Sequence, residues 1–307
     1  MTKTIVVTGA TGQVGGAVVE ALSARGLEVR AATREPDNYR SDKHVKPVQL
    51  DYHLPETIGP ALVGVDGLFL IALPLDPTAP EVLAPVIDRA KEAGVKHIIL
   101  HSAFGVDMNE GAPLRRVEHY LIDSGVPYTI LRSNFFMDNF VTGSISPMIR
   151  EEDGIFLSAG EGKTSFIATS DIAAVAAAAF EQGLVGREFN LTGNEALDHY
   201  MVAKIIGEVA GRSITYHPVS EKDFLALLRE RGLPEPAAEY LIGLYALVRS
   251  GLMAGLTGDV LKVTGREPKR FADFTAEHGG AWQSMGEVSL PYASRILIGK
   301  PGAHVER

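Results

Sequence analysis

Gly9, Gly12 and Gly15 stand three residues apart in "VVTGATGQVGGAV", residues 6–18. An apolar run precedes them and a helix-like apolar pattern follows. Each glycine has a physical use in a loop that holds a dinucleotide. Gly9 permits the tight turn, Gly12 lets the backbone approach a pyrophosphate, and Gly15 lets the helix pack close to its strand. The helix N-terminus then faces the negative phosphates. Thr11, Gln13 and Val14 fill the same loop and join the glycines as candidate contacts. Glycine also marks ordinary strand-to-helix turns, so the reading depends on the loop's place after a first strand and before a helix.

The second strand-like run selects the dinucleotide. It ends "AATRE", with Thr33 where an NAD site would place an acid for the ribose 2′-OH. Arg34 follows, and its guanidinium can pair with a 2′-phosphate and stack beside adenine. NADP(H) is therefore expected over NAD(H). Glu35 stays open as the acid one step late or as an exposed charge. Lys43 and Lys46 read as solvated. Asp51 ends the third strand in "QLDY", beside Tyr52. Its carboxylate can accept from the adenine amino group or cap the next helix. Ala72, Leu73 and Pro74 follow the fourth strand, and Ser102 and Ala103 the fifth. Asn134, Phe135 and Phe136 follow the sixth and are expected near the nicotinamide.

Short, continuous apolar runs must position these residues: 4–8, 28–33, 46–50, 67–71, 97–101 and 128–132. Continuous runs suit strands buried on both faces of a parallel sheet. Helix-like stretches at 12–25, 79–93 and 113–124 alternate with them, and Gly26, Gly94 and Gly125 stand at C-cap positions. The expected class is α/β, a Rossmann-type doubly wound parallel sheet with a smaller α/β substrate-side domain. Residues 1–155 are read as the dinucleotide-binding domain, with about 164–182 packing back on it. Residues 183–284 are read as the smaller domain and 285–307 as a tail. A long apolar helix is expected at about 237–254, and a last one in "KRFADFTAEHGGAW".

The totals agree with this. The chain has 307 residues, 46% of them hydrophobic, which is enough for a sizeable core. Its net charge of −9 argues against a nucleic-acid partner. It contains no cysteine, so disulfides, thiolate metal sites and cysteine nucleophiles drop out together. The longest apolar run, 172–180, is far short of the roughly 20 residues of a membrane span. A cytoplasmic protein without a membrane partner is expected. A homo-oligomer is compatible with the sequence.

"TGATGQVGGAV", "ATRE", "LDY", "HSAFGV", "VPYTILRSNFFMDNF", "ATSDIAAVAAAAF" and "FNLTGNEAL" occur here in the order found in NmrA-like proteins. These form an atypical branch of the short-chain dehydrogenase/reductases, and the resemblance covers roughly residues 3–282. It implies a Rossmann domain, a small α/β domain over it, and the nicotinamide in the cleft between them. It also makes Arg34 look like the 2′-phosphate ligand. Such proteins include quinone, triphenylmethane-dye, isoflavone-type and iminium reductases. Others are NADP-sensing regulators.

Most dehydrogenases of the wider superfamily carry Tyr-x-x-x-Lys on the helix after strand five. The tyrosine protonates the forming alkoxide, and the lysine lowers its pKa. Here "GAPLRRVEHYL" puts Ala112 at the tyrosine position and Arg116 at the lysine position. Arg116 can hold a ribose, orient a substrate or simply face solvent, but it is too basic to donate a proton. The strings "YRSDK" at 39–43 and "YMVAK" at 200–204 lie elsewhere and read as chance. The catalytic candidates are therefore Ser102, Arg116 and Tyr52, with His101 and His119 as further donors. His97 and His101 share a strand face and read as a core pair, so no metal site is expected. Reduction of a simple ketone leaves an alkoxide that needs a proton at once. A quinone, enone, dye cation or iminium delocalises or cancels the charge and can be protonated later by water.

The substrate side is expected to be apolar. Phe136 and Phe140 follow strand six, and Tyr240 and Tyr245 recur at helical spacing with Leu244, Val248 and Leu252. Such a stripe forms either a core or the roof over a flat aromatic ligand. Two functions remain: an NADPH-dependent reductase of a conjugated, quinoid or iminium-type small molecule, and a non-catalytic NADP(H)-sensing regulator. A sugar epimerase lacks its Tyr-x-x-x-Lys, and a serine hydrolase lacks G-x-S-x-G.

Overall fold

In the computed structural model, which describes residues 2–73 and 75–282, seven parallel strands form the central sheet. They are β1 (Thr4–Val7), β2 (Glu28–Thr33), β3 (Val45–Gln49), β4 (Gly67–Ile71), β5 (His97–Ala103), β6 (Tyr128–Ser133) and β8 (Arg187–Leu191), in the order β3-β2-β1-β4-β5-β6-β8. β4, β5 and β6 are buried almost throughout, which is why their sequences are continuous apolar runs. The order reverses between β1 and β4. That switch point opens a crevice at the carboxyl ends of the strands, where ligands of such sheets bind.

Helices cover both faces. α1 (Gln13–Ser23) and α6 (Thr169–Gln182) pack together on one, burying Val14, Val18 and Leu22 against Ile172, Ala173 and Ala176. α2 (Pro55–Leu62), α3 (Ala79–Glu92) and α4 (Pro113–Asp123) cover the other, through Ile58, Leu62, Leu83, Ile87, Val117 and Leu121. Gly26, Gly94 and Gly125 follow α1, α3 and α4 with φ of 73°, 74° and 75°, as C-caps require.

A second layer is built on a two-stranded parallel sheet of β7 (Gly154–Leu157) and β9 (Thr215–Pro218). Around it lie α5 (Ser146–Glu152), α7 (His199–Ala210), α8 (Glu221–Glu230), α9 (Glu235–Arg249) and α11 (Phe271–Glu277). Its core is aromatic: Phe140, Phe166, Phe224, Tyr245, Phe271 and Trp282 are all buried.

The layers do not divide at residue 183 as the sequence reading had it. β8 completes the main sheet, and α10 (Asp259–Thr264) packs on α6 and β8. β7, conversely, belongs to the second layer. The expected tail, 285–307, lies outside the described residues. The long apolar helix ends earlier than expected, at Arg249, because Gly251 turns the chain with a φ of 84° into a 3-10 turn at Leu252–Ala254. No single helix among the described residues is long and apolar enough to cross a membrane.

A buried ion cluster ties α4 to the sheet. The Glu118 carboxylate accepts from Ser102 Oγ at 2.6 Å, from Arg132 Nε and Nη2 at 2.8 Å each, and from Arg115 at 2.9 Å. Burial pushes Glu118 up, but the bonds from Arg132, Ser102 and Arg115 outweigh it and hold the carboxyl below its usual range. Arg132 also reaches Glu188 and Asp107, so its charge is paired on three sides.

Gly15 fixes how close α1 comes to the sheet. A Cβ there would stand 2.1 Å from the Gly9 carbonyl oxygen, whereas one on Gly16 would meet only Ala10 O, at 3.5 Å. In urea denaturation Gly15→Ala is expected to destabilise by about 1–3 kcal/mol through forced backbone movement. Gly16→Ala is expected to be neutral, or to stabilise by up to about 1 kcal/mol through helix propensity.

Burial pushes His97, His101 and His199 down to about 4, with Lys3 contributing at His97. In the unfolded chain histidine titrates near about 6.5. Below that pH the unfolded state binds more protons, so stability falls as pH drops from about 6.5 towards 4. The urea midpoint should decline across this window. A midpoint flat down to pH 4 would contradict the burial of these rings.

Candidate functional site

The glycine loop lies at the switch point. Gly9 adopts a φ of 61°, and the Gly12 N–H closes the turn on Gly9 O at 2.9 Å. Gly12 caps α1 without a side-chain bond, and no acidic residue sits in the first turn. The first N–H groups of α1 therefore have neither a helical acceptor nor a side-chain cap, and they suit an anion. Thr11 is exposed and Val14 is buried in the core. The Gln13 side chain hooks across the crevice edge. Its Nε2 donates to Asp138 O at 3.2 Å and to Thr142 Oγ1 at 3.0 Å. Asp138 in turn caps α6 through the Thr169 N–H and hydroxyl.

At the end of β2, Arg34 is exposed and has no side-chain hydrogen bond or ion pair among the described residues. Glu35 is turned away: its carboxylate accepts from Asn38 Nδ2 at 2.7 Å. Of the two residues the sequence left open here, Arg34 is the uncommitted one. Lys43 and Lys46 are exposed. Asp51 Oδ1 accepts from the His53 N–H at 2.9 Å, a local turn of the capping kind.

Several expected site residues serve the fold. Tyr52 OH donates to Ile71 O at 2.6 Å, and burial raises its pKa above the ordinary phenol range. That makes it a brace at the end of β4 and a poor acid. Thr8 completes the brace, donating to Phe69 O and accepting from the Ile71 N–H. Ser102 is buried and bound to Glu118, and His101 is buried against Ser133 Oγ at 2.8 Å. His119 pairs with Glu110 on the surface. Arg116 is 55% exposed and pairs with Glu81 on α3 at 3.4 Å, so its guanidinium is on the outer face of α4. Ala112 is the N-cap of that helix.

Ala72 is half-buried and Leu73 is exposed after β4, while Pro74 lies outside the described residues. Ala103 closes β5, half-buried. Asn134 is buried, with its amide bound to Ser165 Oγ and Met253 O. Phe135 is half-buried and its ring lies 5.8 Å from Tyr245. Phe136 is half-buried against His101, with ring centroids 5.9 Å apart.

Two of the four substrate-side candidates are core residues. Phe140 is fully buried, edge-on to Phe166 and Phe271, and its carbonyl accepts from Trp282 Nε1 at 2.7 Å. Tyr245 is packed between Phe135 and Phe224. Phe136 and Tyr240 remain partly open. The tyrosines of the two stray Tyr-x-x-x-Lys strings lie away from the crevice: Tyr39 packs on the α1 side of the sheet, and Tyr200 lies on α7 against Tyr216.

The sequence reading missed the Glu118–Arg132 cluster and the 3-10 turn at Leu252–Ala254 that stands over β5. The first left a signal: a glutamate between Val117 and Leu121 on an apolar helix face, and an arginine inside an apolar strand. The second left none, because the contacts that seat it join residues about 90 to 120 positions apart.

The fit to a dinucleotide rests on features of this chain: the Gly15 cradle that a Cβ would fill, the uncapped α1 terminus and an exposed Arg34 without a partner among the described residues. Comparison with known proteins agrees. The NAD(P)H azoreductase of Xenophilus azovorans is 33% identical over 285 residues, covering 91% of this chain and 99% of that one. The NADPH complex of an Escherichia coli quinone oxidoreductase superposes with a TM-score of 0.78 at 28% identity, covering 89% of this chain and 98% of that one. The NADP(H) complex of Citrobacter sp. triphenylmethane reductase gives 0.77 at 26%, covering 91% and 100%. The sequence pattern of the NmrA-like family matches residues 1–253. With its glycine loop at the sheet's switch point and its second layer over the crevice, the chain belongs to the NmrA-like family.

Proposed function

We propose that this protein is an NADPH-dependent reductase that passes hydride to a conjugated, quinoid or iminium-type small molecule without a protein acid. One observation carries the reading. The hydroxyl of Tyr52, the hydroxyl of Ser102 and the ring of His101 are each bound to a protein partner, Ser102 and His101 being buried and Tyr52 half-buried. Ala112, the residue that the resemblance sets at the superfamily's tyrosine position, is the N-cap of α4. Among the described residues these candidate proton donors at the strand ends are all engaged, which suits acceptors whose charge is delocalised after hydride arrives.

The residues divide into two roles. Gly9, Gly12, Gly15 and the first turn of α1 hold the pyrophosphate, and Arg34 holds the 2′-phosphate. Phe135 and Phe136, with the turn beyond α9, shape the acceptor side and exclude water. A bound nicotinamide supplies the hydride. With a quinone, two electrons and one proton arrive as hydride, the oxygen anion is spread over the ring, and water delivers the second proton. The protein then acts chiefly by orientation.

NADPH is expected to bind at least about tenfold more tightly than NADH, because a guanidinium–phosphate pair is a charge-assisted contact. Arg34→Glu should remove most of that difference in a fluorescence titration. Equal affinities in the unaltered protein would sink the role of Arg34. A panel of quinones, azo compounds, dye cations and iminium salts should yield NADPH oxidation with at least one class. Tight NADPH binding with no rate across the panel would favour a cofactor-sensing regulator instead.

A further inference from the structure

Three distant segments meet at one buried polar point beside the crevice. Asn134 follows β6, Ser165 precedes α6, and Met253 lies in the 3-10 turn beyond α9. Asn134 Nδ2 donates to Ser165 Oγ at 2.7 Å and to Met253 O at 2.9 Å. Asn134 Oδ1 accepts from the Phe135 N–H at 2.9 Å, so both amide donors and the amide oxygen have partners. Ser165 Oγ donates to Gly255 O at 2.7 Å, and the Ser165 N–H donates to Met253 O at 2.9 Å. Asn134 is 3% exposed and Ser165 0%, so neither side chain has water as an alternative partner. A fully satisfied buried network of this kind selects one arrangement of the segments it joins.

The arrangement selected is the seating of the 251–255 turn over the end of β5. Leu252 and Met253 lie against Gly105, each 3.4 Å from where a Cβ would stand on it, and Gly255 meets the Phe104 ring at 3.2 Å by the same measure. Phe104 and Leu252 are half-buried, and Leu256 is 55% exposed. The apolar wall they form stands on the β5–β6 side of the switch point. Arg34 lies on the opposite side, at the end of β2. The adenine end of a dinucleotide belongs with Arg34, so the β5–β6 side is where an acceptor would enter.

We propose that Asn134 and Ser165 are positioning residues: together they hold the 251–255 turn as the wall against which a flat apolar acceptor lies. This rests on the reading of the crevice as a reductase site. The clasp sets acceptor affinity and leaves cofactor affinity alone, because neither side chain has a donor left for the cofactor.

The test compares Ser165→Ala with Ser146→Ala in the full chain, using menadione as acceptor. Ser146 Oγ is also buried and donates to Val141 O at 2.7 Å, outside the turn, so it controls for general loss of a buried hydrogen bond. Ser165→Ala is expected to raise the menadione KM by about fivefold or more, the factor that one lost hydrogen bond implies. The kcat and the NADPH Kd should stay close to those of the unaltered protein, and amide hydrogen exchange should rise across residues 251–257. Ser146→Ala should leave KM unchanged. Asn134→Ala carries the same expectation for KM if Ser165→Ala is too unstable to assay. An unchanged KM in the clasp variants, or an NADPH Kd weakened as much as KM, overturns the proposal. If no acceptor is turned over, the reductase reading fails by itself. The clasp is then judged by equilibrium dialysis of menadione against the NADP-loaded protein. Binding weakened only in the clasp variants supports it, and no binding, or binding unaffected by the clasp, overturns it.

Discussion

The approach of α1 to the loop after β1 is the constraint on which the rest depends. A hydrogen in place of a side chain on the Gly15 Cα lets the helix lie where a Cβ would run into the Gly9 carbonyl. That closeness puts the uncapped first turn of α1 at the switch point of the sheet. It also lets Gln13 reach Asp138 and Thr142, which couples the glycine loop to the segment after β6. Asp138 continues the link into α6, and α6 packs back on α1. The dinucleotide loop is thus closed into a ring of contacts and does not project as a free loop.

Around that ring, polar side chains are largely occupied. Tyr52, Ser102, His101 and Asn134 all sit where a reader of the sequence would look for chemistry, and all are bound to other parts of the protein. Arg34 is different: it sits in solvent with no side-chain partner among the described residues. The contrast sorts the crevice into a charged end open to a ligand and an apolar end whose polar groups are turned inward. Such a division favours binding and orientation over proton transfer by the protein.

The strands of the main sheet were legible because burial on both faces leaves continuous apolar runs, as in "HIILH" and "YTILR". The glycines were legible because the close approach leaves no other residue at Gly15. Other parts follow from contacts that no local pattern records. α2 begins at Pro55 and carries Pro60 within it, so its sequence reads as a breaker although its first turn tolerates proline. β8, in "REFNL", has two exposed residues and reads as belonging to the second layer, yet its hydrogen bonds go to β6. Phe140 and Tyr245 lie at spacings that fit a pocket as well as a core, and only packing distinguishes the two. Glu118 and Arg132 pair across 14 positions, which a search for catalytic spacings does not register.

The central claim is that hydride moves between bound partners while the protein donates no proton. The measurement that tests it most directly is the pre-steady-state rate of hydride transfer to a quinone, followed with NADPH deuterated at the transferred position, in H2O and in D2O, across neutral pH. The account predicts a primary isotope effect, a solvent isotope effect near unity and a rate that does not change with pH. A large solvent isotope effect, or a rate that follows the titration of one protein group, would contradict it.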